Sequence, residues 1–144
     1  MSYLAETYNF KGENVLHVAL AGNLTTYSGI LPANGVGTVS IVVWVYLDNA
    51  ADCVVNIATA DDSAGTNATA LTQNIPNWIE DVKQTNAKAI TFLSTLTADS
   101  YHMGVFEVPA TIIPADKYIG VYLTAGNANN LVTAVAINDQ YYKG

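Results

Sequence analysis

The chain has 144 residues, which is enough for one domain whose hydrophobic core needs no metal ion or disulfide. Its net charge is −7, it contains no arginine and its five lysines are scattered, which argues against nucleic-acid binding and against a nucleotide or phosphoryl-transfer site. Because 51% of the residues are apolar and only 12% are charged, we expect much of the surface to be buried against partners in an assembly.

The chain divides into a short N-terminal segment and one domain. Residues 1–13 show no clear hydrophobic period and are assigned to an N-terminal arm or edge strand, and residues 14–144 are assigned to a β-sandwich domain. The first residues lack the positive region and long apolar run of a secretion signal, and no later run approaches the ~20 apolar residues of a membrane span. We therefore expect a soluble protein made in the cytoplasm, without membrane contact.

The first half of the domain predicts two strands separated by a long, turn-rich connection. Residues 14–21 alternate well enough for a strand. Residues 39–47 place five aliphatic side chains on one face and Val42, Trp44 and Tyr46 on the other, so neither face favours water. This second segment is predicted to be a central strand that is buried on both faces, with Trp44 in the core.

The middle of the chain predicts a hairpin, a loop and one short helix. Residues 48–52 turn the chain from the central strand into residues 53–58, so the two strands are predicted to pair as a hairpin with a longer loop. Residues 61–74 have the polar, Gly-containing composition of a surface loop. Residues 76–84 contain the one plausible helix, with Pro76 near its first turn, or equally an extended crossing between sheets. Residues 89–96 predict a further strand.

Three more strands are predicted near the C-terminus, at residues 101–108, 117–125 and 131–138. The loop between the first two contains two prolines, which cannot donate to a strand ladder, and the loop between the last two is a flexible Gly/Asn turn. We place these strands at the edge of a sandwich. About seven or eight antiparallel strands, rich in Val, Ile, Thr and Tyr, predict an all-β fold: a single-domain β-sandwich or jelly roll.

One loop has the residue types of a calcium site. Asp61, Asp62, Ser63 and Asn67 offer side-chain oxygens, which are the ligands that Ca²⁺ takes from irregular loops. Their spacing lacks the alternating Asp/Asn pattern and the distal Glu of an EF-hand. A solvated turn is therefore the favoured interpretation.

No catalytic group can be assembled from the sequence. Cys53 is the one cysteine and lies in an apolar run, which favours a buried hydrophobic role. His17 and His102 have no partners at metal-ligand spacing, so a hydrogen-bonded or solvent-facing imidazole is favoured over a ligand. Glu80 and Asp81 are adjacent and would diverge on a helix, and the chain lacks a Gly-x-Ser-x-Gly elbow. We expect neither an enzyme nor a bound metal or cofactor.

The aromatic residues are the remaining candidates for function. Tyrosines cluster at both ends of the chain, where they either pack the terminal segments onto the domain or contact neighbouring subunits. Trp78, beside a loop and the predicted helix, is either a core residue or an exposed anchor. The interface candidates are Tyr3, Leu4, Tyr8, Phe10, Trp78, Tyr141 and Tyr142.

The last third of the chain resembles a known family. The order FEVP at residues 106–109, KYIGVYLTAGN at 117–127 and LVTAVAIND at 131–139 is similar to that of small jelly-roll cement (decoration) proteins of tailed-phage capsids. The N-terminal half matches as a series of strands. The resemblance implies a jelly roll on the outer capsid surface of the virion, a homotrimer at threefold positions, and the phage major capsid protein as partner.

The composition also fits a second class of protein, a carbohydrate-binding β-sandwich module. Such a module would use Tyr and Trp as stacking platforms and Asp and Asn for sugar hydroxyls. Mass in solution discriminates the two, since a cement protein is expected to be a trimer and a sugar-binding module a monomer.

Overall fold

The computed structural model describes the backbone of residues 15–20, 25–27, 37–47, 52–62, 64–93, 100–125 and 131–138. Side chains are described for residues 37–47, 52–62, 64–93, 101–121 and 132–135. The predicted arm and the interface candidates of both termini lie outside the described residues: Tyr3, Leu4, Tyr8, Phe10, Tyr141 and Tyr142.

The described chain consists of strands and one short 3-10 helix at Ala110–Ile112. The strands are β1 (Val15–Leu20), β2 (Thr25–Tyr27), β3 (Thr38–Leu47), β4 (Cys53–Ala60), β5 (Thr69–Ala70), β6 (Asn77–Ile79), β7 (Val82–Lys83), β8 (Ala89–Phe92), β9 (Ser100–Pro109), β10 (Tyr118–Ala125) and β11 (Leu131–Asn138). Among the described residues, no helix has the length and apolar character needed to cross a membrane.

Two antiparallel sheets form the domain. The six-stranded sheet has the order β1-β11-β3-β9-β6-β7, and the five-stranded sheet has the order β2-β10-β4-β5, with β8 also paired to β4. Their buried side chains form one continuous core of aliphatic and aromatic residues. The predicted all-β sandwich is confirmed.

Eight of the strands are related as a jelly roll. They form four nested antiparallel pairs, β4 with β8, β3 with β9, β2 with β10 and β1 with β11, as in one long hairpin rolled up on itself. The innermost pair is joined by residues 61–88, and this connection contains β5, β6 and β7. The seven strands predicted after the arm correspond to all members of the rolled hairpin except β2, which lies in the predicted turn-rich connection, and the prediction also omits β5, β6 and β7.

Strand β3 lies between β11 and β9, which confirms its central position, but its burial on both faces is a wrong prediction. The inward residues from Val39 to Leu47 are almost fully buried, whereas Val42 and Tyr46 are only half-buried and Trp44 is exposed. An antiparallel sheet packs one face on its partner sheet, and the other face is left to solvent or to other molecules. Trp44 is therefore not a core residue.

The predicted hairpin between β3 and β4 is also wrong, because the two strands belong to different sheets. Cys53, Val55 and Ile57 of β4 are fully buried in the same core as the inward residues of β3. Residues 48–52 connect the two sheets, and the two apolar faces pack against each other across the sandwich. The C-terminal strands are likewise not at an edge, because β9, β10 and β11 each have neighbours on both sides.

Residues 77–83 form a strand pair, β6 and β7, in place of the predicted helix. Strand β6 pairs with β9, and Glu80 turns the chain with a φ of 51°. Buried Asn77 fixes this region, because its Nδ2 donates to the carbonyl oxygens of Ile75 (3.0 Å) and Thr85 (3.3 Å). Of the two predictions for residues 76–84, a helix or an extended crossing between sheets, the extended one is closer to the structure. Hydrogen bonds to other parts of the chain replace those of a helix.

Gly104 is required by a close contact between the sheets. A Cβ atom at this position would lie 2.8 Å from Cζ of Phe92 and 3.0 Å from Cδ1 of Ile90. We expect Gly104→Ala to lower the free energy of unfolding by about 1–3 kcal/mol, the usual cost of overpacking a core, as measured by urea denaturation. Adding Phe92→Leu should recover part of this loss, and an unchanged midpoint for Gly104→Ala alone would contradict the contact.

Candidate functional site

The outer surface of the six-stranded sheet is mostly apolar. Alternation along β3, β6, β9 and β11 points one set of side chains into the core and the other set outward. We call the apolar part of the outward set the aromatic face: Val42, Trp44, Tyr46, Trp78, Tyr101, Met103, Val105 and Val135. The outward set also contains Thr133, opposite Trp44, and the polar residues Thr38, Ser40 and Glu107 at the other end of β3 and β9.

Four of these residues form a row across the sheet. Val135, Val42, Val105 and Trp78 lie directly opposite one another on β11, β3, β9 and β6. Lys83 of β7 ends the row, and its Nζ lies 5.5 Å from the centroid of the Trp78 ring. A cation–π contact of this kind is worth about 0.5–1 kcal/mol at an exposed site. The row is thus continuously apolar and ends in one positive charge.

The aromatic rings concentrate in the next two rows. Trp44 lies opposite Met103, and Tyr46 lies opposite Tyr101 with 5.1 Å between ring centroids and 51° between ring planes. Trp44 is 38% exposed and Tyr101 is 69% exposed. Two large aromatic side chains are therefore available to a partner on a sheet whose backbone is held by its ladder.

Trp78 is the one predicted interface residue that the structure describes, and it lies half-buried on this face. Trp44, Tyr46 and Tyr101 are not among the interface residues predicted from the sequence. The period-two alternation of residues 39–47 does place Trp44 and Tyr46 together on one face. That signal was hidden because valine occurs on both faces of β3 and suggested burial of both.

The Glu80 side chain fixes the β6–β7 turn to β9 beside the aromatic face. Its backbone N–H donates to the carbonyl oxygen of Met103 (2.8 Å), and its Oε1 accepts from the Met103 N–H (3.2 Å). The same Oε1 lies 3.2 Å from Nδ1 of His102, which is a hydrogen-bonded imidazole as predicted. The contact joins residues 22 positions apart, and the sequence gives no sign of it. It is a structural contact that holds Met103 and the turn in place.

The carboxylates of the Asp61–Asn67 loop accept hydrogen bonds from the protein itself. Asp62 accepts from the backbone N–H groups of Ala64 (2.9 Å) and Thr66 (3.0 Å) and from the Thr66 hydroxyl (2.6 Å). Asp61 accepts from Asn67 Nδ2 (2.7 Å) and forms an ion pair with Lys117. The ammonium group of Lys117 already neutralises the Asp61 carboxylate. This agrees with a solvated turn and disfavours a calcium site.

Across the ranges that the structure describes, no three His, Cys, Asp or Glu side chains form a group that could hold a metal ion. Ser63, the remaining candidate calcium ligand, lies outside the described residues, as does the side chain of His17.

The loop carboxylates should titrate at unusually low pH. Hydrogen bonds from Lys117 and Asn67 lower the pKa of Asp61, and hydrogen bonds from the Thr66 side chain and backbone lower the pKa of Asp62. Because both values lie below those of the unfolded chain, the loop contacts stabilise the fold fully above pH ~4 and lose this effect as the pH falls through the folded-state values. Carboxyl carbon NMR should show both groups titrating below the ordinary aspartate value. Midpoints at the unfolded-chain value would contradict these hydrogen bonds.

Cys53 is not a nucleophile in this fold. It is fully buried in β4, as predicted, and burial raises the pKa of its thiol to about 11. The thiolate is the reactive form, so little of it is present at neutral pH. The side chain contributes apolar packing to the core.

Comparison with family models, with curated proteins and with solved structures returns no match. A functional proposal therefore depends on the fold, the aromatic face and the resemblance of the last third of the sequence.

Proposed function

We propose that this protein is a capsid cement protein, which binds the outside of a tailed-phage head as a trimer and holds major capsid subunits together. The observation that carries the proposal is the aromatic face, where Trp44 and Tyr101 are exposed among half-buried apolar side chains of one sheet. A contiguous apolar surface on a soluble domain is typical of a protein–protein contact site. The low charge of the chain removes one common barrier to association.

The fold is compatible with this role without deciding it. Jelly rolls occur in viral capsid proteins, in lectins and in cupins. The strands that resemble cement proteins, β9, β10 and β11, lie next to β3 or β4 inside the two sheets. The similar segment therefore forms part of the framework of the sandwich.

A trimer joined through a rigid sheet face is physically suited to holding a shell together. A lattice under internal pressure from packaged DNA fails where neighbouring subunits separate, and a trimer that bridges them adds buried area at each seam. The central strand β3 is hydrogen-bonded on both sides, so its aromatic side chains start from a fixed backbone. Less conformational entropy is then lost when the face is covered.

A carbohydrate-binding module is the second candidate, because the exposed rings of Trp44 and Tyr101 are side chains on which sugars stack. Two features of the face favour a protein partner. The rings of Tyr46 and Tyr101 are tilted by 51° and do not form a flat platform. The side chains nearest the rings are Val42, Met103, Val105 and Val135, with Thr133 opposite Trp44 as a hydroxyl group, while Ser40 and Glu107 pair farther along the strands.

The test is co-sedimentation of the purified protein with expanded empty heads that lack it, from the phage that encodes the chain. We expect saturable binding at a copy number divisible by three and a higher temperature of head disruption. A glycan array is screened in parallel. Binding to a glycan without binding to heads would overturn the proposal in favour of the second candidate, and binding to neither would also contradict it.

A further inference from the structure

The described chain begins at a sheet edge that belongs to the aromatic face. The first described residue, Val15, pairs with Val135, and β1 is the terminal strand of the six-stranded sheet. The preceding 14 residues contain Tyr3, Leu4, Tyr8 and Phe10 and carry only three charged side chains. An apolar, aromatic segment is thus attached beside an apolar, aromatic surface.

The arm is long enough to cover this surface on its own domain or on a neighbouring one. Fourteen extended residues span about 46 Å, whereas β9 lies three strand spacings, or about 14 Å, from β1. Reach alone therefore does not decide which copy of the chain receives the arm.

The direction of β1 favours a neighbouring copy. Leu20 and Tyr46 both lie opposite Leu131, so the Tyr46–Tyr101 pair is at the Leu20 end of the sheet. The arm is attached at Val15, which lies in the row of Val135 and Val42, four residues along β3 from Tyr46. Continuing the strand backwards from Val15 leads away from the rings, and the arm would have to reverse to cover them on its own domain.

We propose that residues 1–14 of one copy pack on the aromatic face of a neighbouring copy. Each chain then gives one arm and receives one, which is a head-to-tail contact that closes as a ring when three copies are present. Glu6 and Glu13 in the arm complement Lys83 at the margin of the face. The inference rests on the proposed function for the number of copies, which is three.

The test is photo-crosslinking of the free, full-length protein with benzoylphenylalanine in place of Tyr101. The lysine positions make the product diagnostic, because trypsin releases residues 1–11 as one peptide and residues 89–117 as another. Chains labelled with ¹⁵N are mixed with unlabelled chains before illumination. We expect cross-links between residues 89–117 of one isotopic form and residues 1–11 of the other.

Benzoylphenylalanine in place of Leu93 is the matched control. Leu93 lies in the same tryptic peptide and is 49% exposed, but it follows β8 of the other sheet. It should give no cross-link to residues 1–11. Cross-links from position 101 confined to one isotopic form would place the arm on its own domain and overturn the proposal. A trimer whose position 101 links to another peptide, or to none, would overturn it too.

Deleting residues 2–10 supplies a second, independent measurement. The truncated protein should keep its circular dichroism spectrum and trimerise at least tenfold more weakly, about 1.4 kcal/mol. Adding Trp44→Ser to the deletion should weaken trimerisation little further, because the two changes remove the same contact. Unfolding of the truncated protein, or full additivity of the two changes, would contradict the inference. Binding to heads is assayed separately. If the protein does not bind heads, the cross-linking and trimerisation results still test the position of the arm.

Discussion

Replacing Val43 with aspartate should unfold the domain. Val43 is fully buried at the middle of β3, between β11 and β9, and its neighbours in the core are apolar. A carboxylate there would be charged without a partner or would have to bind a proton, and either state costs several kcal/mol. That is a large part of the total stability of a domain of this size. We expect insoluble protein, or loss of the cooperative thermal transition in circular dichroism.

Val42→Asp is the matched control for this prediction. It is the same substitution on the adjacent residue, whose side chain is half-buried on the aromatic face. Because water can still reach that side, the variant should remain folded with a modestly lower midpoint. Equal effects of the two changes would contradict the inward and outward alternation of β3.

Removing the two exposed rings of the aromatic face should largely abolish self-association. We expect the combination of Trp44→Ser and Tyr101→Ser to weaken trimerisation at least a hundredfold, about 2.8 kcal/mol. Buried aromatic residues dominate the energy of most interfaces, and these two are the exposed rings of the described face. Sedimentation equilibrium at micromolar concentration measures the change, and circular dichroism checks that the fold is retained.

Exposed apolar residues away from the face provide the control. Val82 is 63% exposed and pairs with Ile79, which lies opposite Gly104 on the inward side of the sheet, and Leu93 lies on the other sheet. Val82→Ser with Leu93→Ser should leave trimerisation unchanged. If both pairs of changes weaken association equally, general hydrophobicity and not the aromatic face drives it.

The strands were largely predictable because their alternation is local. Predicted strands at residues 101–108, 117–125 and 131–138 correspond to β9, β10 and β11 within one or two residues at each end. The period of two, the prolines at the end of β9 and after it, and the Gly/Asn-rich stretch before β11 are all features of short stretches of sequence. The sandwich follows from the number of such strands.

The pairing of strands was not predictable in the same way. The short connection between β3 and β4 is compatible with a hairpin or with a crossing between sheets, and the packing of two buried faces decides between them. Residues 77–83 have the composition of a short helix, but pairing with β9 and the buried amide of Asn77 hold them extended. Tertiary contacts overrode local propensity in both cases.

The candidate site was predictable only in kind. A low-charge, aromatic-rich chain indicated a contact surface, and Trp78 was named as one of its residues. The position of the surface depends on which face of β3 meets the second sheet, and valines on both faces conceal that choice. The contact of Glu80 with His102 depends on a turn that the sequence did not indicate.

Hydroxyl-radical footprinting of the wild-type protein over a range of concentrations tests the aromatic face most directly as the interface. We expect Trp44 and Tyr101 to be oxidised more slowly in the trimer than in protein diluted to monomer, while the oxidation rate of Leu93 stays constant. Equal rates for Trp44 and Tyr101 in monomer and trimer would contradict this expectation, as would a protein that stays at its 15.3 kDa monomer mass at every concentration.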